Sequence, residues 1–136
     1  MGKSKKELIK EYKENPPPMG VYQIRNLVND KILVGTSTNL PGVFNREKFQ
    51  LNLGGHPNKG LQADWNETGG DSFDFEILDE LKPTENPGYD YKEDLAFLEE
   101  IWLEKLQPYG ERGYNKEKHT ADEKLQRIMQ NRLAKP

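Results

Sequence analysis

The sequence predicts an α/β domain of the α+β type: a small three-stranded antiparallel sheet flanked by helices, with extra helices at the N- and C-terminal ends. Three observations predict this fold class. Two short apolar runs flank an Asn-Asp pair, a third run alternates strictly over residues 73–77, and the remaining stretches carry apolar residues at helical spacing. The length of 136 residues fits one domain with one core.

The first two runs predict a β-hairpin. Residues 20–26 alternate, with Val21 and Ile24 apolar, and an apolar run resumes over residues 31–35. Asn29 and Asp30 stand between the runs, and both residue types tolerate the backbone of a tight turn. The alternation over residues 73–77 predicts a third strand with one buried face.

Three core helices are predicted around these strands. Asn39 is a good N-cap and Pro41 suits a first helical position, which predicts a helix over residues 41–53. A second helix begins at Asn58, and a third spans residues 91–106. The apolar residues expected to face the core are Val43, Phe44, Phe49, Leu51 and Leu53 in the first helix, Leu61 and Trp65 in the second, and Leu95, Leu98, Ile101, Trp102 and Leu106 in the third.

Two charged segments flank the predicted domain of residues 19–115. Residues 1–18 comprise a helix over 3–14 and a triple-proline spacer, and residues 116–136 contain a charged helix over 120–133. The apolar stripe of this last helix either packs on its own domain or docks a protein partner. Its members are Leu125, Ile128, Met129 and Leu133.

Charge is distributed unevenly along the chain. The two end segments carry net charges of +2 and +3, whereas residues 19–115 hold nine Lys or Arg against 17 Asp or Glu, a net charge of −8. A negative surface gains little from displacing the counterions of a nucleic acid, so we expect only weak nucleic-acid contact, made through the basic ends.

The composition also limits location and metal chemistry. No run approaches the roughly 18–20 apolar residues of a membrane span, and the N-terminus has no signal-peptide core, so we expect a cytoplasmic protein without membrane contact. The absence of cysteine excludes disulfides and thiolate ligands. Any metal ion would be one that prefers oxygen ligands.

An ordered set of motifs resembles the GIY-YIG nuclease family. Gly20-Val21-Tyr22 stands at the place of the first family tripeptide, and Leu33-Val34-Gly35 at the place of the second, across a short hairpin. Further similar positions follow in the same order over residues 19–115, at His56, Asn58, Gln62, Trp65, Glu99, Pro108 and Gly113-Tyr114-Asn115. Gln62 and Trp65 are interpreted as scaffold residues.

The resemblance implies four candidate roles, each with a structural alternative. Tyr22 would help to deprotonate the attacking water, or be a strand tyrosine packed on the sheet. Glu99 would ligate Mg²⁺ or Mn²⁺, or be a solvated helix glutamate. His56 would bond a phosphate or move a proton, or cap the following helix. Asn115 would position Tyr22 or close the site by bonding backbone groups, or be a turn residue.

Two departures from the family pattern weigh against catalysis. Leu33 replaces the second hairpin tyrosine, and Val43 stands where the resemblance implies an arginine on the first helix. Losing one such electrostatic donor typically costs about 100–1,000-fold in rate. Arg46, three residues along the same helix, is the candidate substitute, or a surface arginine paired with Glu47 or a more distant carboxylate.

Two hypotheses follow for function. In the first, the chain is endonuclease-like, with weak or lost phosphodiester hydrolysis, and acts in binding a nucleic acid or a partner, without a cofactor. In the second, it is an active endonuclease that depends on Mg²⁺ or Mn²⁺ and uses an altered site of Tyr22, Arg46, His56 and Glu99. Both hypotheses leave its status as an enzyme open.

Overall fold

A computed structural model of the chain describes residues 16–117 and 121–133, with side chains from residue 125 onward in the second segment. The α+β class and the three-stranded antiparallel sheet are confirmed. The helix predicted over residues 3–14 lies outside the described residues. In chain order the elements are β1 (Met19–Asn26), β2 (Ile32–Ser37), α1 (Leu40–Leu53), α2 (Lys59–Thr68), β3 (Phe73–Leu81), α3 (Lys92–Leu106) and α4 (Ala121–Leu133).

The sheet has the order β2-β1-β3, so the first strand lies in the centre. β1 and β2 form the predicted hairpin, in which Tyr22 pairs with Gly35 and Ile24 with Leu33. The turn between them places Asp30 in the left-handed region, with φ of 62°. Aspartate tolerates that conformation better than most residues, which explains why the Asn-Asp pair signals the turn.

β3 continues to Leu81, four residues beyond the predicted end of the strand. Val21 pairs with Asp79 while Tyr22 pairs with Ile77, so Leu78 is an extra residue opposite that step. Such a β-bulge shifts the alternation of side chains by one position. The strict period therefore stops at Ile77 although the strand continues, and the bulge lies beside Tyr22.

Each face of the sheet is covered by helices. Tyr22 and Ile24 point to the face that holds the main core together with α1 and α2, and the other buried members of that core are Leu40, Val43, Leu51, Leu61, Trp65, Phe73 and Tyr114. Val21 alternates to the opposite face, where α3 packs against β1 and β2. There Trp102 donates from Nε1 to Oδ2 of Asp79 at 3.0 Å.

Some residues expected in the core are exposed. Phe49 and Leu53 of α1 are exposed, because the buried stripe of α1 follows Leu40, Val43, Glu47 and Leu51. Ile101 of α3 is exposed as well. The apolar side chains of α4 are each more than half exposed, and none of them belongs to the core cluster of the described residues. Within the described residues, no helix has the length and apolar character needed to cross a membrane.

Candidate active site

Tyr22 is buried at the centre of the sheet. Its ring meets Phe44 edge-on at a centroid distance of 5.7 Å. Its hydroxyl lies against Gly35 on the neighbouring strand, where an added Cβ would approach the oxygen to 2.7 Å. The glycine of the second motif is thus required because any side chain there would displace the phenol.

Three charged side chains lie within electrostatic range of this phenol. Burial raises the pKa of Tyr22 well above its usual value, Glu47 and Glu99 raise that pKa further, and Arg46 lowers it. Of the predicted site residues, Arg46 and Glu99 therefore act electrostatically on Tyr22. The net result is a neutral phenol that releases its proton less readily than free tyrosine.

His56 contacts Glu47, the carboxylate whose charge acts on Tyr22. Nε2 of His56 contacts Oε2 of Glu47, and both side chains are almost completely buried. Nδ1 of His56 accepts a hydrogen bond from the backbone N–H of Asn58 at 3.0 Å. Because Nδ1 is an acceptor, the ring proton belongs on Nε2, and the imidazole is neutral.

Both ring nitrogens of His56 are thus engaged inside the protein. Asn58 is the N-cap of α2, and its side chain accepts from the N–H of Leu61 at 3.0 Å. His56 therefore supports the start of the helix, which is the second of the two roles proposed for it. Glu47, which this arrangement requires, was missed because a helix glutamate is ordinarily exposed.

Gln62 holds the His56 turn against the first helix. Its Oε1 accepts from the N–H of His56 at 3.0 Å, and its Nε2 donates to the carbonyl of Leu51 at 2.9 Å. Trp65, one turn further along α2, packs on Phe73 at a centroid distance of 5.1 Å. The interpretation of Gln62 and Trp65 as scaffold residues is confirmed.

The two aliphatic replacements lie in or against the core. Val43 is buried among the main core residues, and Leu33 packs against the same cluster. Arg46 is exposed, and no carboxylate of the described residues forms an ion pair with it. The expected pairing of Arg46 with Glu47 is wrong, since Glu47 contacts His56.

Asn115 covers the free edge of β2. Its Oδ1 accepts from the N–H of Val34 at 2.8 Å, and its Nδ2 donates to the carbonyl of the same residue at 2.9 Å. Gly113 bridges to Ile32 in parallel, and an added Cβ there would approach the carbonyl oxygen of Ile32 to 2.6 Å. Asn115 thus bonds backbone groups, as one of its proposed roles requires.

Glu99 lies half-buried on α3 and lines a cleft of about 440 Å³. Thr36, Ser37 and Thr38 line the same cleft. The described residues contain no cluster of three or more His, Asp or Glu side chains that could hold a metal ion.

Two further tyrosines, Tyr109 and Tyr114, received no role from the sequence. Burial raises the pKa of Tyr109, and Glu117 and Glu99 raise it further. Tyr114 is buried, donates to Oδ2 of Asp64 at 2.6 Å and accepts from Nδ2 of Asn26 at 3.0 Å. Burial, followed by the hydrogen bond to Asp64, raises the pKa of Tyr114 to about 12.

The hairpin with Tyr22 over Gly35, the third strand and the helix bearing Glu99 define a GIY-YIG-like fold. Two solved structures share it. The catalytic domain of the intron endonuclease I-TevI, as a glutamate-to-alanine mutant, has a TM-score of 0.62 and 28% identity over 76% of this chain and 97% of its own. The catalytic domain of the homing endonuclease I-TevI has a TM-score of 0.61 and 27% identity over 74% and 99%.

No protein-family model and no curated protein matches the sequence. The likeness to the two catalytic domains supports a nuclease-like function at a coarse level.

Proposed function

We propose that the chain is a GIY-YIG endonuclease-like protein that binds nucleic acid and hydrolyses phosphodiester bonds weakly or not at all. The observation that carries this proposal is the position of Val43 and Leu33. Both lie in or against the apolar core, at the places where the family resemblance implies an arginine and a tyrosine. An aliphatic side chain cannot stabilise the charge that develops on a phosphate.

The remaining candidates supply little help with proton transfer. Tyr22 has a raised pKa, so its phenolate is scarce at neutral pH. His56 donates one ring proton to Glu47, and its other nitrogen accepts from Asn58. Neither side chain is therefore free to accept a proton from an attacking water.

Glu99 is the residue that would hold a divalent ion. A bound Mg²⁺ or Mn²⁺ would supply charge neutralisation at a phosphate oxygen. Glu99 lines its cleft together with Thr36, Ser37 and Thr38, and one carboxylate among such residues suits an ion that keeps most of its water shell.

The second candidate is an active endonuclease with an altered site of Tyr22, Arg46, His56 and Glu99. Its specific support is Arg46, which is exposed, has no ion-pair partner among the described residues and acts electrostatically on Tyr22. In this arrangement Arg46 would replace the missing family arginine from one helical turn further along α1.

Nicking of supercoiled plasmid with Mg²⁺ or Mn²⁺ distinguishes the two candidates. If the first candidate is right, the wild type shows no plasmid cleavage above the level of Glu99→Ala. Tyr22→Phe and Arg46→Ala then leave the level of cleavage unchanged. Wild-type cleavage that disappears in Glu99→Ala and falls about 100-fold or more in Arg46→Ala would contradict the first candidate.

A gain-of-function variant tests whether the missing side chains are the reason for weak or absent cleavage. Leu33→Tyr combined with Val43→Arg restores the family side chains, and we expect cleavage that depends on Glu99. Leu33→Tyr alone is the better-tolerated variant, because Leu33 is only partly buried. A thermal melt establishes that each variant is folded.

A further inference from the structure

A second cleft of the described residues lies away from Glu99, at the start of α2. It has a volume of about 620 Å³ and is lined by three lysines, Lys31, Lys59 and Lys116. Residues 19–115 hold only nine Lys or Arg against 17 Asp or Glu, so this concentration of positive charge contrasts with the rest of the domain. A concave basic surface on an acidic body attracts anionic ligands to one place.

The three ammonium groups are not neutralised by their surroundings. No carboxylate of the described residues forms an ion pair with them, and Lys31 instead lies over the ring of Tyr114 at 5.8 Å from its centroid. The single carboxylate in the cleft, Asp64, accepts a hydrogen bond from the hydroxyl of Tyr114. Positive charge in the cleft therefore exceeds negative charge.

The cleft shares a sheet face with Tyr22. Tyr114 at its wall bonds Asn26, which lies four residues after Tyr22 on β1 and points to the same face. At about 3.3 Å per residue the separation along the strand is roughly 13 Å.

The turn over residues 56–58 connects the two places. His56 contacts Glu47 beside Tyr22, while Pro57 and Asn58 line the cleft. The turn therefore lies between the contact of His56 with Glu47 and the basic cleft.

We propose that the cleft of Lys31, Lys59 and Lys116 binds the phosphodiester backbone of a nucleic acid. This inference rests on the proposed function and adds a binding surface on the body of the domain. Lysine binds phosphate as a point charge, and three lysines line the cleft.

Fluorescence anisotropy with a labelled DNA duplex of about 20 base pairs tests the proposal over a series of salt concentrations. The cleft variant is Lys59→Ala/Lys116→Ala, and the control is Lys82→Ala/Lys105→Ala, with the same change in net charge. All four lysines are exposed, so each variant should fold as the wild type does.

We expect the slope of log affinity against log salt to fall by about 2 in the cleft variant and to stay unchanged in the control, because each lost phosphate contact contributes about 0.9 to the slope. If the wild type binds the duplex and both variants show the same slope of log affinity against log salt, the proposed binding cleft is overturned but the proposed function is not. Absence of any wild-type binding would overturn the proposed function as well. Displacement of the duplex by polyglutamate at equal charge concentration would overturn the nucleic-acid assignment in favour of an acidic peptide.

Discussion

Glu47 contacts His56 inside the domain and acts electrostatically on Tyr22, although it belongs to no predicted motif. A carboxylate removed from water is costly unless it is hydrogen-bonded. The Nε2–H of His56 provides that bond, and the other ring nitrogen accepts from the N–H of Asn58. One continuous set of contacts therefore joins α1, the His56 turn and the start of α2.

Removal of the carboxylate should destabilise the domain. Glu47→Ala leaves the Nε2–H of His56 buried without an acceptor, and we expect a loss of about 1–3 kcal/mol in the free energy of unfolding. Glu47→Gln keeps an amide oxygen as acceptor and should lose less. Urea denaturation measures both, with Glu100→Ala on the exposed side of α3 as the control, expected within about 0.5 kcal/mol of the wild type. Equal losses in Glu47→Ala and Glu100→Ala would contradict the contact.

At the scale of elements, the open edge of β2 is covered by the segment that follows α3. Tyr114 donates its N–H to the carbonyl of Ile32 at 2.9 Å, and Asn115 pairs its side-chain amide with both backbone groups of Val34. An uncovered edge strand exposes unpaired donors and acceptors to other chains. The segment over residues 113–115 thus closes the sheet beside the strand that carries Gly35.

Asn115→Ala should loosen this edge. The N–H of Val34 loses its acceptor, so we expect faster amide exchange at Val34 and a loss of about 1 kcal/mol in stability. Asn115→Asp is the informative comparison, because its oxygen still accepts from the N–H but can no longer donate to the carbonyl. Hydrogen exchange should rank protection of Val34 as wild type, then aspartate, then alanine. Unchanged exchange at Val34 in Asn115→Ala would show that the bonds do not protect the edge.

At the scale of the whole molecule, the parts predicted from the sequence are those set by local pattern. The turn at Asp30, the cap at Asn39 and the alternation from Phe73 depend on neighbouring residues alone, and all three are present. The burial of Glu47 and the cover that Asn115 gives β2 depend on partners nine and 81 positions away. Local periodicity carries no information about such partners.

The exposed apolar stripe of α4 leads to a prediction for a chain that lacks this helix. Its apolar residues do not pack in the described core, so a chain ending at Glu117 should keep its free energy of unfolding within about 0.5 kcal/mol. Far-ultraviolet circular dichroism should show the loss of helical signal, and urea denaturation gives the stability. A loss well above 1 kcal/mol would mean that α4 stabilises the domain after all.

The two buried tyrosines of the core predict how the whole molecule responds to alkali. The pKa of Tyr114 is raised from about 10 to about 12 by burial and Asp64, and that of Tyr22 is raised as well. Between pH 10 and pH 12 the unfolded chain has released the Tyr114 proton, whereas the folded chain still holds it. The contribution of Tyr114 to stability is therefore complete below pH 10 and is lost as the pH rises from 10 to 12.

Tyr114→Phe isolates this contribution, because lysines and Tyr22 titrate in both proteins and cancel in the difference. Phenylalanine lacks the bonds to Asp64 and Asn26, so the variant should be less stable than the wild type at neutral pH. Its deficit should stay constant up to about pH 10 and shrink above it, since only the wild type has the Tyr114 proton to lose. Chemical denaturation of both proteins at intervals up to pH 12 measures this difference. A deficit independent of pH over that interval would mean that the Tyr114 phenol is not held in its neutral form by the fold.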